Sequence, residues 1–436
     1  MAKLVRIAGA ARSFITVRRL VNALTPLVIM TAFVSASGCA GHSSSVEPVA
    51  ADTRPVETEE RQPHIVPTVT TTPAVTNDFE PSEIATAAQL KRSLKEGESI
   101  QRGLEWVERE ESVASGEVEA GEYVVTYLIT PADDYYDLEA GIDTLPAHHT
   151  TVTPGSAHVS VVVRDAADGR TVNGLDVHAT LGAAITGART RAKLPFGWHP
   201  ILNRYGENMV LPENPFTLTI DIGAPTYQRE DSVNGDRFRK DVTARFDGIS
   251  VSSDSLAGAA QRLARGNRNE ATKLSRVEGE AIESSIAAVL HEHPSHGLQR
   301  RSGDYTVAVL LGPAQGAWAL QNGGLAFLPA DESVRPVNNI EISIRDAATG
   351  RVIPGLNVRA TIIDSRKREI DTYVVPFVWS PRVDAYGLNV AVPGRGRYTV
   401  RIRADAPAFR KYGSSAMRQF KRPVSVDFRG LRFVTR

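Results

Sequence analysis

The chain repeats itself. Gly121–Ala132, GEYVVTYLITPA, matches Gly303–Ala314, GDYTVAVLLGPA, at a spacing of 182 residues. RDAADGRTVNGLDVHATL from Arg164 matches RDAATGRVIPGLNVRATI from Arg345, and the segment from Leu194 matches that from Val375, both at 181. One loop deletion accounts for the difference. A repeat of this length is one domain-sized unit used twice, so the chain is predicted to fold as two related domains.

Within each copy the apolar residues alternate. Val159, Val161 and Val163 alternate with Ser160 and Val162, and Ile340, Ile342 and Ile344 with Glu341 and Ser343. Period two with β-branched residues places one face of a strand on a core. DAADG and DAATG then supply turns, and TLTIDI and YTVRIRA repeat the alternation. Short strands at intervals of about ten residues predict a mainly β fold of two immunoglobulin-like antiparallel β-sandwiches, with a barrel as the lesser alternative.

A different texture precedes each sandwich. Leu90, Leu94, Leu104 and Val107 recur at helical spacing in one stretch. Leu256, Leu263, Leu274, Ile282, Ile286 and Leu290 do so in the other, with Gly266 and Asn267 at a turn. The expected order is helical hairpin 1 over 82–114, sandwich 1 over 115–254, helical hairpin 2 over 255–296 and sandwich 2 over 297–436.

The start of the chain reads as an export signal over 1–39. Lys3, Arg6, Arg12, Arg18 and Arg19 precede an apolar run from Leu20 to Val34, which is followed by small residues. Cys39, the sole cysteine, comes directly after Ala36-Ser37-Gly38 and resembles the acylated residue of a bacterial lipobox, although Ala36 stands where leucine is usual. An ordinary signal with an incidental cysteine is the other reading. Acylation there would attach the chain to a bacterial cell membrane through lipid, facing the periplasm or exterior. Residues 40–81, rich in Pro, Ser, Thr and acidic side chains, are expected to form a disordered stalk.

Basic and acidic residues balance at 50 each, which gives no long-range attraction for nucleic acid. Phosphate-loop, H-E-x-x-H and G-x-S-x-G patterns are absent, and the one cysteine is taken by the anchor, so the chain is read as non-enzymatic with no certain cofactor. Histidines are unevenly shared. His148, His149, His158, His178 and His199 fall in sandwich 1, whereas sandwich 2 has none and carries Asn339, Arg359 and Ser380 opposite the last three. With the acidic run that includes Asp137 and Glu139, the set His158, His148, His149 and His199 makes sandwich 1 the place for a divalent metal, unless these are solvated loop residues. His291, His293 and His296 form a further tract that reads as metal ligands or as an exposed hinge.

Both copies keep an aromatic cassette: Trp198 with Tyr205, Gly206 and Asn208, and Trp379 with Tyr386, Gly387 and Asn389. It is either a structural corner, in which the aromatic fills the sandwich mouth and Asn ties a turn, or a recognition site. The order of the DAADG-type turn, Trp, YGENMVLP or YGLNVAVP, then a strand and Ala-Pro resembles the periplasmic iron-transport protein family and its haloarchaeal relatives, over about 110 residues of each half. The resemblance implies immunoglobulin-like, lipid-anchored envelope proteins handling divalent iron (Fe2+) or copper (Cu2+), with an envelope transporter or other envelope protein as partner. It carries one ligand position to this chain, His158; where the family commonly places histidine beside the cassette, Arg204 and Ala385 stand. The competing expectation is a structural or protein-interaction scaffold without metal.

Overall fold

The computed structural model describes residues 78–433 apart from 139–146, 150–151, 154, 266–267, 293–295, 322–323, 331–336, 393–395 and 413–417. The expected export signal, Cys39 and nearly all of the expected stalk lie outside these residues. The stalk's last expected residues already pack on the head: Phe79 meets the Trp379 ring edge-on at 5.9 Å, and Glu80 and Asn234 exchange two hydrogen bonds.

Thr86 and Gln89 form a reciprocal capping box that starts α1 (Ala87–Glu110). This is one helix of 24 residues, where a hairpin over 82–114 was expected. The chain tolerates Gly97 within it because the helix lies against the turn after strand Ser156–Asp165; a Cβ at Gly97 would stand 1.8 Å from the Asp168 carbonyl oxygen. Close packing here offsets the roughly 1 kcal/mol that a mid-helix glycine costs.

Twelve strands follow: β1 (Ala114–Ala120), β2 (Tyr123–Pro131), β3 (Tyr135–Leu138), β4 (Ala147–His149), β5 (Ser156–Asp165), β6 (Val177–Ala183), β7 (Arg189–Lys193), β8 (Phe196–Trp198), β9 (Arg204–Val210), β10 (Phe216–Ile222), β11 (Gln228–Glu230) and β12 (Val242–Ile249). Helices α2 (Ser253–Arg265) and α3 (Arg268–Glu292) lead into the second set. That set is β13 (Gly297–Ser302), β14 (Tyr305–Pro313), β15 (Ala317–Gln321), β16 (Gly324–Leu328), β17 (Val337–Asp346), β18 (Val358–Ile363), β19 (Glu369–Val375), β20 (Phe377–Trp379), β21 (Ala385–Ala391), β22 (Tyr398–Ala404), β23 (Arg410–Tyr412) and β24 (Val424–Leu431).

Helices α2 and α3 are two helices, as expected, but α3 packs on α1 rather than folding back on α2. α3 is the true counterpart of α1: its Gly279 approaches the Thr349 carbonyl as Gly97 approaches that of Asp168. Each of the two helices covers the outer face of a sheet. Ile100, Leu104 and Val107 of α1 pack on Leu128 and Val162, while Ile282 and Ile286 of α3 pack on Ala308. That cover explains why β2 is buried on both faces, and why Val162 is apolar where alternation called for a polar residue.

In each repeat an eight-stranded sheet faces a four-stranded one. The strand orders are β1-β2-β5-β9-β8-β23-β3-β4 over β12-β10-β6-β7, and β13-β14-β17-β21-β20-β11-β15-β16 over β19-β18-β22-β24. The two repeats are therefore not self-contained. Strand β23 of the second repeat lies parallel to β8 and antiparallel to β3, and β11 of the first repeat lies parallel to β20 and antiparallel to β15.

The tryptophans follow the exchanged strands. Trp198, 2 % exposed, belongs to the core of repeat 2, stacked on Phe409 at 5.8 Å and under the Arg351 guanidinium at 4.6 Å. Trp379, 3 % exposed, belongs to the core of repeat 1, against Phe238 and with Arg170 at 5.9 Å. The two arginines lock the crossing reciprocally: Arg170 donates to the Ser380 carbonyl at 3.0 Å, and Arg351 to that of His199, the residue equivalent to Ser380, at 2.9 Å. Both are buried and paired, Arg170 with Asp168 at 2.6 Å and Arg351 with Glu278 at 3.1 Å, as burial of a charge requires.

Because each core contains a tryptophan from the other repeat, the head is expected to unfold in urea as one transition. Trp198→Ala and Trp379→Ala should each lower its stability by about 3–5 kcal/mol. Two separated transitions, followed by circular dichroism, would show that the repeats are independent.

Candidate functional site

The cassettes begin as corners. Tyr205 donates its hydroxyl hydrogen to the Val172 carbonyl and accepts from the Leu175 amide, both at 3.1 Å; Tyr386 does the same with Ile353 at 2.7 Å and Leu356 at 3.0 Å. The two asparagines then clamp a neighbouring chain segment. Asn208 accepts from the Asp133 amide at 3.2 Å and donates to its carbonyl at 2.9 Å. Asn389 does this with Gln315, at 3.0 and 2.7 Å. The structural reading of the cassette accounts for these four residues.

Each clamp also orients one buried side chain, and here the two repeats diverge. Asn208 Oδ1, fixed as an acceptor, lies 3.0 Å from His158 Nδ1. The ring must therefore carry its hydrogen on Nδ1, which leaves Nε2 as a bare, fully buried lone pair without a partner. Gly206 is required beside it, since a Cβ there would stand 2.4 Å from Nε2. Burial and then the Arg204 charge push the imidazole down to about 3, against the opposing bond from Asn208, so it is neutral at ordinary pH.

The rest of the junction around His158 is filled. Tyr412, from exchanged strand β23, places its ring 5.1 Å from the His158 ring and 5.9 Å from that of His199. Arg204 lies over the Tyr412 ring at 5.4 Å and pairs with Glu111 at 3.3 Å. Arg410 lies over Tyr135 and pairs with Glu207, to which the Tyr135 hydroxyl also donates. His199 offers no free lone pair: its Nδ1 accepts from the amides of Ile201 and Leu202 at 3.3 and 3.4 Å, which turns its Nε2 hydrogen towards Glu111, 3.7 Å away. Burial first, and then Arg204, keep this ring neutral too.

The expected metal set of sandwich 1 is thus only partly gathered. His158 and His199 share the Tyr412 ring, but guanidinium groups surround them and oppose a dication. His178 sits on β6 in the opposite sheet, with Asp176 at 3.3 Å. Asp137 on β3 stands opposite His148 on β4, and Tyr136 opposite His149, in a ladder at the sheet's far edge. Glu139 lies outside the described residues. Among the described residues no three His, Cys, Asp or Glu side chains converge to hold a metal ion. In the His291–His296 tract, His291 is exposed, His293 lies outside the described residues, and His296 donates to the Arg432 carbonyl at 2.6 Å.

Repeat 2 has the same clamp and a different outcome. Asn339 replaces His158; its Nδ2 points to Asn389 Oδ1 at 3.4 Å and to Glu230 of exchanged strand β11 at 3.5 Å, and its Oδ1 is buried without a partner. Ala317 stands where Tyr135 stands, Leu388 where Glu207 stands, and Glu230 where Tyr412 stands. Losing these bulky groups opens a cavity of about 270 Å³, floored by Glu230 and Asn339 and reaching exposed Asn389 and Pro329 at its rim. Burial, and then Glu341, hold the Glu230 carboxyl well above the usual carboxylate range, against Arg382 and the bond from Asn339.

Sequence reasoning looked for a site among the histidines and so missed Glu230, Gln315 and Tyr412. The available signal was the loss of volume at aligned positions, Tyr135 to Ala317 above all.

The low folded value of His158 fixes a sign for pH dependence. Between pH about 6.5 and 3 the unfolded chain binds a proton that the folded chain refuses, so this part of the stability is present above 6.5 and is lost as pH falls. In His158→Asn, which copies repeat 2, the acid slope of unfolding free energy should be shallower by up to about 1.4 kcal/mol per pH unit near pH 5. Urea titrations across pH 4–7 read this directly, and equal slopes would contradict it.

No protein-family model and no curated protein matches the sequence. Among solved structures, FetP of uropathogenic Escherichia coli is 18 % identical with a TM-score of 0.25, over 32 % of this chain and 96 % of that one. Copper-reconstituted P19 of Campylobacter jejuni is 16 % identical with a TM-score of 0.26, over 32 % and 97 %. Dimeric latent PorU of Porphyromonas gingivalis is 10 % identical with a TM-score of 0.15, over 72 % of this chain and 34 % of that one. Scores this low carry no argument about fold or ligand.

Proposed function

We propose that this chain is a non-enzymatic binding protein of the bacterial cell envelope, exported and held to its membrane through lipid on Cys39, with a ligand site at the junction where β11 enters the sheet of repeat 2. The observation that carries this reading is the cavity of about 270 Å³ above Glu230 and Asn339, with a buried oxygen on its floor that nothing in the protein satisfies. A buried acceptor without a donor costs about 1–3 kcal/mol, and a bound ligand that supplies the donor recovers it. Repeat 1 shows that the same scaffold closes when Tyr135 and Tyr412 fill the corresponding space. No described helix is long and apolar enough to cross a membrane.

A second reading, handling of Fe2+ or Cu2+ in sandwich 1 with delivery to an envelope transporter, is favoured by one observation. His158 presents a neutral ring whose Nδ1 is held by Asn208 and whose Nε2 is bare, the arrangement a metal-bound imidazole takes. The cassette resemblance to periplasmic iron-transport proteins supports the same reading, and His148, His149, Asp137 and Glu139 are the further donors it would need. Sandwich immunoglobulin character and a partner in the envelope belong with it.

Full-length protein purified from native envelopes in detergent should show, in native mass spectrometry, a small adduct that Ala317→Tyr abolishes. A mass equal to that of the polypeptide and its lipid alone would count against the cavity reading. Metal analysis of the same sample separates the second reading: iron or copper near one per chain, lost in His158→Ala, would support it, and metal-free protein that also fails to bind either ion on titration would exclude it. Cys39→Ser should move the protein from the membrane to the soluble fraction; retention at the membrane would refute the lipid anchor.

A further inference from the structure

The two buried side-chain atoms that the repeat-2 cavity leaves unpartnered are both acceptors, Asn339 Oδ1 and Gln315 Oε1. Asn339 is 4 % exposed, so water in bulk does not serve it. Turning its amide over gives no relief. The oxygen would then face Asn389 Oδ1, which is already fixed as an acceptor by the Gln315 amide at 3.0 Å. Glu230 contributes a third oxygen site, beside Asn339 Nδ2. Around these polar atoms the wall is apolar, with Ala317, Leu328, Val378 and Leu388.

A ligand that satisfies this wall and floor must bring several donors on one compact head and an alkyl body behind it. A primary ammonium group has three N–H donors on a single charged atom, matching three oxygens of which one belongs to a carboxyl group. A divalent metal fits poorly. Calcium or magnesium seeks six or more oxygens and zinc four ligands rich in imidazole or thiolate, while the nearby carboxylate Glu341 is already paired with Arg382, whose charge repels a dication.

We infer that the cavity of repeat 2 binds a small primary alkylammonium ion, its three N–H groups directed to Asn339 Oδ1, Gln315 Oε1 and the Glu230 carboxylate, and its alkyl chain lying against Ala317 and Leu388. The assignment rests on the cavity being a binding site, as proposed above, and adds the class of ligand.

The charge balance gives it a distinctive pH behaviour. Glu230 faces Glu341 of β17, Arg382 of the segment before β21, and Asn339, and it is held protonated by burial and by Glu341. An entering ammonium ion pairs with the carboxylate, so the Glu230 proton passes to solvent and one positive charge replaces another in the cavity. Binding is therefore linked to proton release and tightens as pH rises towards the folded value of Glu230.

Calorimetric titration of the full-length protein in detergent with n-butylammonium chloride tests the inference, with tetramethylammonium as a cation that has no N–H donor. Butylammonium should bind at least tenfold more tightly at pH 8.5 than at pH 6, and at least tenfold more tightly than tetramethylammonium. At pH 8.5, Glu230→Gln, Asn339→Ala and Ala317→Tyr should each weaken it at least tenfold. Asn339→Ala adds no bulk, so it keeps the test sound should the tyrosine variant unfold. Absence of butylammonium binding, equal affinity for tetramethylammonium, tighter binding of calcium or zinc at the same residues, or unchanged binding in Asn339→Ala would overturn it. Should butylammonium fail while native protein still carries an adduct that Ala317→Tyr removes, the ligand class is wrong and the cavity reading stands. Failure of both removes both.

Discussion

The exchange of Trp198 and Trp379 between the two cores is the constraint on which the rest of the structure depends. Each tryptophan sits beside a strand imported from the other repeat, and each is covered by an arginine that also ties off a carbonyl across the crossing. Removing one repeat would strip the other of a core aromatic and of the strand that joins β8 to β3 or β20 to β15. The buried arginines would then lose the carbonyls they donate to while keeping Asp168 and Glu278, and a buried hydrogen-bonding group left unsatisfied costs about 1–3 kcal/mol. Duplication has thus produced one interlocked head with an internal two-fold relation between its halves.

That architecture creates two junctions of identical design where an imported strand meets a clamped hairpin. The clamp is the same in both, Asn208 on Asp133 and Asn389 on Gln315, and so is its effect on the neighbouring side chain, which is left with an unsatisfied acceptor. Volume and charge differ. In repeat 1, Tyr135, Tyr412, Arg204 and Arg410 fill the space with aromatic rings and guanidinium groups stacked on them. In repeat 2, Ala317 and Leu388 leave it open, and the imported strand brings Glu230 where β23 brings Tyr412. The copy that kept the histidines is the closed one, and the copy without any is the one with room for a ligand.

Strand positions were legible in the sequence because a strand's burial has period two, and both Val159–Val163 and Ile340–Ile344 show it. The corner role of Tyr205 and Tyr386 was legible as well, since both copies keep the cassette while their histidines differ. Less was visible in the helices. Apolar spacing along α1 and α3 marks the face that each lays on a sheet, but it does not say that α3 partners α1 across the repeats rather than its own neighbour α2.

The sequence by itself determined that this protein has two copies of one mainly β unit and where the strands of period-two burial lie in each copy. These are local matters, set by periodicity, turn chemistry and residue order. Only the tertiary structure decided that β11 and β23 change places and that Trp198 and Trp379 serve the opposite cores. Three residues of extended chain carry no mark of which sheet they will join, because backbone hydrogen bonds are alike in either. The same holds for the site. Glu230 and Asn339 are 109 residues apart and meet only because the exchanged strand carries a carboxyl group into a space that Ala317 leaves empty.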